Sequence, residues 1–186
     1  MRDLRCYAYW DIIDGIQCRY GTLLVGNNNE RLIGNCIMKN PGSANPIDSL
    51  FVREDGRKEF TVDATMRAIA ELFDINKNGG TVRIWNLSDV REPDFTKAQK
   101  TIKQVDDIRE FNNTVPTYIG WGDFWKNPTV NDKAKSFFKL VQPQNTYLNK
   151  DIEKNPFFHP LYLLRYAKNK NECVTLYSSF ASDKSH

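Results

Sequence analysis

Residues Arg31–Ala44 read R-L-I-G-N-C-I-M-K-N-P-G-S-A, an apolar run that stops abruptly. Leu32, Ile33, Ile37 and Met38 form a short continuous apolar segment bounded by turn residues, the pattern of a strand buried in a sheet. Lys39-Asn40-Pro41-Gly42 ends it. Proline cannot donate to a ladder, and glycine permits a tight turn or a close backbone approach to a ligand. Asn40 then stands at the strand tip with one amide acceptor and two donors. A strand that switches to a polar loop in this way is expected in an open α/β sheet, which binds ligands beyond the carboxyl ends of its strands. As a bare tripeptide, N-P-G also fits an ordinary polar turn.

The flanking sequence supports an α/β chain. Residues 4–13 and 19–25 are rich in β-forming residues, and Asp14-Gly15 and Gly26–Asn29 carry turn chemistry. The second turn leads straight into the central strand, so 19–25 is expected to pair with it as an antiparallel hairpin. Residues 40–60 read as a long loop on the ligand side, with Asp48, Arg53, Asp55 and Arg57 solvated. Thr61–Asp74 has Val62, Met66, Ile69, Ala70 and Phe73 on one helical face, with Thr61 or Asp63 as cap. Thr81–Trp85 is a second buried strand, with Asn86 at its tip. Thr96 and Gln99 open a predicted helix running to Phe111, whose solvated face would hold Lys97, Lys100, Lys103, Asp106, Asp107 and Arg109.

A third strand is expected within 115–122, ending at Gly120-Trp121-Gly122. A short helix, Asp132–Leu140, follows with Ala134, Phe137 and Phe138 facing inward. Thr146–Leu148 reads as another short strand. His159 lies in a loop, and Pro160 sits near the start of a further helix. Cys173–Tyr177 is a last strand, expected to pair with residues 4–10. Strand and helix alternate three times after the N-terminal strands. The expected fold is therefore α/β: a three-layer sandwich, a mostly parallel central sheet with helices on its faces, preceded by an antiparallel hairpin.

Composition narrows the function classes. The 186 residues are 40% apolar and 26% charged, with a formal net charge of +3. That length suits a single domain, 1–186, with a sizeable core. No apolar run approaches the length of a bilayer span, and Met1–Cys6 has no apolar leader. A cytoplasmic protein with no membrane partner is expected. Cys6, Cys18, Cys36 and Cys173 are scattered, and His159 and His186 are the two histidines. No zinc-like spacing results, so no metal and no cofactor is expected.

In a parallel sheet Asn40, Asn86, Gly120-Trp121-Gly122 and His159 would all lie at one edge. Together with their neighbours they resemble the DUF1643 family over residues 18–165. Arg19-Tyr20 with Leu23 is similar to its R-Y-x-L, Asn40-Pro41 with Ser43-Ala44 to its N-P-S-x-A, and Asp63–Arg67 to its D-P-T-I-R. Asn86-Leu87 with Arg91 resembles its N-L-x-x-x-R, Trp121-Gly122 its W-G, and His159–Leu163 its H-P-L-Y-L. Ala64 replaces the family proline, and extra residues lie between 45 and 60. A more distant resemblance is to the uracil-DNA glycosylase superfamily, through N-P-G after an early strand, an asparagine after a middle strand and H-P before a late helix.

That resemblance implies a glycosylase-like fold and hydrolysis of an N-glycosidic bond, on a base in nucleic acid or on a nucleotide. Asn40 would orient water and His159 would stabilise the departing base or the backbone, making these the expected catalytic residues. Pro41, Gly42, Asp63, Thr65, Arg67, Asn86, Arg91, Trp121 and Tyr162 would bind substrate. Phe51, Phe60 or Trp85 would stack on a flipped base. An asparagine is no general base, so such chemistry depends on a positioned water and a good leaving group.

Other readings fit the same residues. The fold could bind a nucleotide, a modified base or a nucleic-acid end without catalysis. It could also be an interaction domain whose polar residues merely end strands. His159 can simply cap a helix; Asp63, Thr65 and Arg67 can be a helix start; Lys39 and Arg91 are cations placed to meet phosphate.

Overall fold

Asp14 and Gly15 both adopt positive φ, 53° and 77°, the geometry of a two-residue hairpin turn. They join β1 (Leu4–Ile13) to β2 (Ile16–Gly26) in an antiparallel pair that closes at Ile13 opposite Ile16. The computed structural model describes residues 4–47, 52–92, 104–122, 127–149, 159–161 and 174–177. Within them lie β3 (Leu32–Met38), β4 (Lys58–Phe60), α1 (Ala64–Leu72), the single turn α2 (Ile75–Asn78), β5 (Gly80–Asn86), β6 (Thr117–Ile119), α3 (Pro128–Val141), β7 (Thr146–Asn149) and β8 (Val174–Tyr177). The described strands form one sheet in the order β4-β1-β2-β5-β3-β6-β7-β8. The chain is α/β with a mixed sheet. The central pairs β5–β3, β3–β6 and β6–β7 are parallel, and the outer pairs are antiparallel.

The antiparallel partner of β1 is β2; β2 and β3 do not pair. β5 lies between them, with Gly26 opposite Gly80 on one side and Leu32 opposite Thr81 on the other. Every residue of β5 is buried, and a strand buried along its whole length needs partners on both edges for its backbone groups. The Asn27-Asn28 turn, left-handed at both residues, carries the chain over that strand instead of closing a hairpin. The last strand also departs from expectation. β8 pairs with β7, Thr146 opposite Tyr177, at the far edge from β1. The free edge of β1 is taken by β4, with Cys6 opposite Phe60.

The two faces of the sheet bury separate cores. On β3, Cys36 and Met38 join one cluster and Ile37 the other, as alternation requires. The first cluster includes Met66, Ile69, Ala70 and Leu72 of α1. The second takes Val130, Ala134, Phe137 and Val141 of α3, together with Trp85, Ile119 and Trp121. Each fully buried aliphatic side chain contributes about 1.5–3 kcal/mol. Asp63 is the N-cap of α1 and accepts the Met66 N–H at 2.9 Å. α3 begins four residues before the expected Asp132, because Asn127 caps it by accepting from Thr129 and Val130 and Pro128 takes the first turn.

Two segments read as solvated are tied into the fold. β1 and β2 slip register between Tyr7 and Tyr9. Gly21 sits there at φ 63°, and a Cβ on it would lie 2.5 Å from the Tyr9 ring. Its exposed backbone groups are taken by Arg57, whose Nε donates to Gly21 O at 2.7 Å, and by Asp106, which accepts the Gly21 N–H at 3.1 Å. Arg57 is buried and Arg53 pairs with Glu30. Residues 96–103 of the predicted second helix lie outside the described residues. Its remainder is a loop with a 3-10 turn at Ile108–Glu110, not α-helix. Asp106 is buried against Arg83, 2.6 Å away, whereas Arg109 is exposed as expected and its partner Asp107 is half-buried.

Candidate functional site

The parallel strands β3, β5 and β6 end together, and backbone hydrogen bonds lace the loops beyond them. Leu87 N donates to Met38 O, Ser88 N to Lys39 O and Gly120 N to Ile37 O. Asn40 is half-buried at this edge. Its amide nitrogen donates to Glu92 O at 2.8 Å and to Pro41 O at 3.1 Å. The side chain thus pins the loop after β3 to the loop after β5, and its orientation fixes where Oδ1 points. Pro41 is buried, and Gly42 is exposed with no atom within 4 Å of an added Cβ. The protein itself therefore does not require glycine at 42.

His159 and Pro160 reach the same edge by packing on Gly120. A Cβ there would lie 2.7 Å from Pro160 Cδ and 2.9 Å from Tyr118 Cε1, so the absence of a side chain is what lets the segment dock. His159 Nδ1 accepts the Leu161 N–H at 3.3 Å. Burial, reinforced by the Lys39 ammonium and opposed by Asp63, brings the imidazole pKa down to about 4. The ring is neutral at pH 7 with its proton on Nε2, a hydrogen-bond donor that carries no charge. His159 thus carries a neutral donor on which Lys39 and Asp63 act electrostatically.

Asn86 is buried at the tip of β5. Its neighbour Asp89 is fully buried, and one oxygen accepts the N–H groups of Val105 and Asp106 at 2.6 and 2.9 Å. Burial pushes this carboxyl up to about 7, against the pull of those two amides and the Asn86 side chain. Arg91 donates to Gln17 Oε1 at 2.9 Å, to Ser43 O at 2.7 Å and to Asn45 Oδ1. Asp63 caps α1, Thr65 is half-buried and Arg67 is exposed on that helix. Asp63 acts electrostatically on His159 and on Arg19, which places the amino end of α1 at the same corner.

The edge thus brings together Asn40, Asp63, Arg91 and His159. It does not include Trp121, which is 2% exposed in the α3-side core with its ring edge-on to Phe138 at 5.8 Å. Phe60 and Trp85 are also buried, so neither presents a face for stacking. Tyr162 and Phe51 lie outside the described residues. One residue beyond the expected substrate set belongs to this corner: Arg19, 2% exposed, stacked between Phe60 and Trp10 with its guanidinium carbon 4.5 and 5.5 Å from their ring centres. Burial pulls its pKa down to about 10, opposed by Asp63 and Cys6. A sequence signal existed, since an arginine opposite Trp10 on a neighbouring strand sits in a register that places both on one face.

The chemistry available is donor-rich. Lys39, Arg19, Arg91 and the His159 Nε2–H favour negative charge developing nearby. Thiol nucleophiles are disfavoured, because burial raises the pKa of both Cys6 and Cys36 well above the ordinary thiol range. Among the described residues no helix is long and apolar enough to cross a membrane. No family model, no curated protein and no solved structure matches the chain.

Proposed function

We propose that the carboxyl edge of β3, β5 and β6 receives the base and sugar of a nucleotide, free or in nucleic acid, in a uracil-DNA glycosylase-like manner. The reading carries with it the DUF1643-like and glycosylase-like assignments of the sequence. The observation that supports it is the docking of His159 at the edge that holds Asn40, with Gly120 cleared for Pro160. Cleavage of an N-glycosidic bond leaves negative charge on the base and positive character on the sugar. A neutral Nε2–H donor would stabilise the first without having to lose a proton. Asn40, its nitrogen anchored on Glu92 O, would present Oδ1 to a water and hold it in line. Arg67, Asn86 and Arg91 would bound the substrate.

Binding without catalysis by the same fold is the second reading, favoured by one feature. The Asn40 nitrogen is already committed to two backbone carbonyls.

Base release separates the two. The protein is incubated with single- and double-stranded oligonucleotides carrying uracil, mismatches and modified bases, and free base is read by mass spectrometry. Release lost at least about a hundredfold in both Asn40→Ala and His159→Ala is the expected result for positioned-water and donor catalysis. No release from any substrate, with binding that both variants lose, establishes the binding reading instead.

A further inference from the structure

Three buried hydrogen-bond donors at this corner have no partner: Trp10 Nε1, Arg19 Nε and Arg91 Nε. They belong to one stack. Arg19 lies 5.5 Å and Arg91 5.6 Å from the Trp10 ring centre, on guanidinium carbons. Among the described residues the Arg19 guanidinium meets no carboxylate within ion-pair distance, and its side-chain hydrogen bond is a long one from Nη1 to Ala44 O at 3.4 Å. A buried guanidinium without a counter-charge is costly, and Arg19 is buried while Arg91 beside it is half-buried. Their remaining acceptors are all neutral: Ser43 O, Ala44 O, Asn45 Oδ1 and Gln17 Oε1. Asp63 acts on Arg19 only through space.

The geometry points to a phosphate site formed by Trp10, Arg19 and Arg91 beneath the Ser43–Asn45 loop. The loop carbonyls occupy the guanidinium faces that anionic oxygens would take, and charge-assisted bonds to phosphate are about twice as strong as those to neutral acceptors. Displacing Ser43–Asn45 would open the site and exchange neutral oxygens for charged ones. Three donors on three residues match the three terminal oxygens of a phosphate monoester; a carboxylate offers two. A phosphodiester presents two unesterified oxygens, one fewer than the donors. The ligand is therefore free phosphate or a terminal phosphoryl group, such as that of a nucleoside monophosphate or a strand end. This goes beyond the base-directed reading and stands on the orphaned donors alone.

The test is thermal unfolding of the full chain at matched ionic strength, titrated with inorganic phosphate, a nucleoside 5′-monophosphate, acetate, and one oligonucleotide with and without a 5′-phosphate. A saturable rise in Tm is expected with both phosphate monoesters and with the phosphorylated strand end, and none with acetate or the unphosphorylated strand. Arg91→Met should weaken the phosphate response at least about tenfold, as loss of a charged hydrogen-bond partner does. Trp10→Phe keeps an aromatic face for Arg19 while removing the indole donor along with the five-membered ring, so it should fold and still lose affinity. In the wild type, one indole N–H resonance, absent from Trp10→Phe, should move with phosphate. A phosphate response equal to acetate or chloride, one unchanged in both variants, or no response at all overturns the site. A base-release result of either kind leaves this test unaffected.

Discussion

Asp89, buried, and His159, half-buried, are titratable groups whose pKa values move in opposite senses. The His159 value falls from 6.5 to about 4. Between those values the unfolded chain binds a proton that the folded chain does not, so this residue's contribution is complete above pH 6.5 and is lost as the pH falls toward 4. The Asp89 value rises from 3.8 to about 7. Here the folded chain holds the extra proton, so the contribution is complete below pH 3.8 and is lost as the pH rises through 7. Each displacement is linked to stability at about 1.4 kcal/mol per pH unit. In the wild type the two slopes oppose each other from pH 4 to 6.5. Asp89→Asn keeps an oxygen for the Val105 and Asp106 amides while removing the buried charge, and should stabilise the protein by about 1–3 kcal/mol at pH 8. The same variant should expose the His159 slope, so its urea midpoint should drop between pH 6.5 and 4 more steeply than that of the wild type. A midpoint that tracks the wild type at every pH would show that Asp89 is not the buried acid. The position of His159 beside Pro160 was legible in the sequence. Its neutrality was not, because it comes from burial and from Lys39, a residue 120 positions earlier in the chain.

At the scale of elements, the sequence identified strands better than their partners. The β1, β3, β5 and β6 segments, the Asp14-Gly15 turn and the apolar face of α1 follow from local periodicity and turn chemistry. The insertion of β5 between β2 and β3, and the pairing of β8 with β7, depend on which edges remain to be covered. Asp106 and Arg57 looked solvated because their partner is a backbone bulge at Gly21, a feature no local pattern announces. Two glycines at the candidate site separate packing from ligand approach. Gly120→Ala forces a methyl against Pro160 and Tyr118 and should cost about 1–3 kcal/mol by overpacking. Gly42→Ala meets nothing within 4 Å and should change stability by less than about 0.5 kcal/mol. If a ligand approaches the β3 loop closely, Gly42→Ala should nevertheless weaken it. Urea unfolding of both variants, with a ligand titration of the second, checks this. A Gly120→Ala protein as stable as the wild type would mean that the His159–Pro160 segment is not docked there.

For the whole molecule, the site follows from chain direction. Three parallel strands deliver Asn40, Asn86 and Gly120 to one edge, and the third of these receives His159-Pro160. That convergence was readable from the alternation of strands and helices. Which residues reach the candidate site was not: Trp121 alternates to the α3 side and is consumed by the core, while Arg19 enters from the N-terminal hairpin, whose place beside β5 only the tertiary fold determines. The most direct test of the central claim is a titration of the 15N-labelled protein with deoxyuridine and with its 5′-monophosphate, followed by amide shifts. Saturable shifts concentrated at Lys39–Asn45, Leu87–Arg91, Gly120 and Leu161 are the predicted result. Shifts confined to α3 and its neighbours, or none that saturate with either compound, would contradict it.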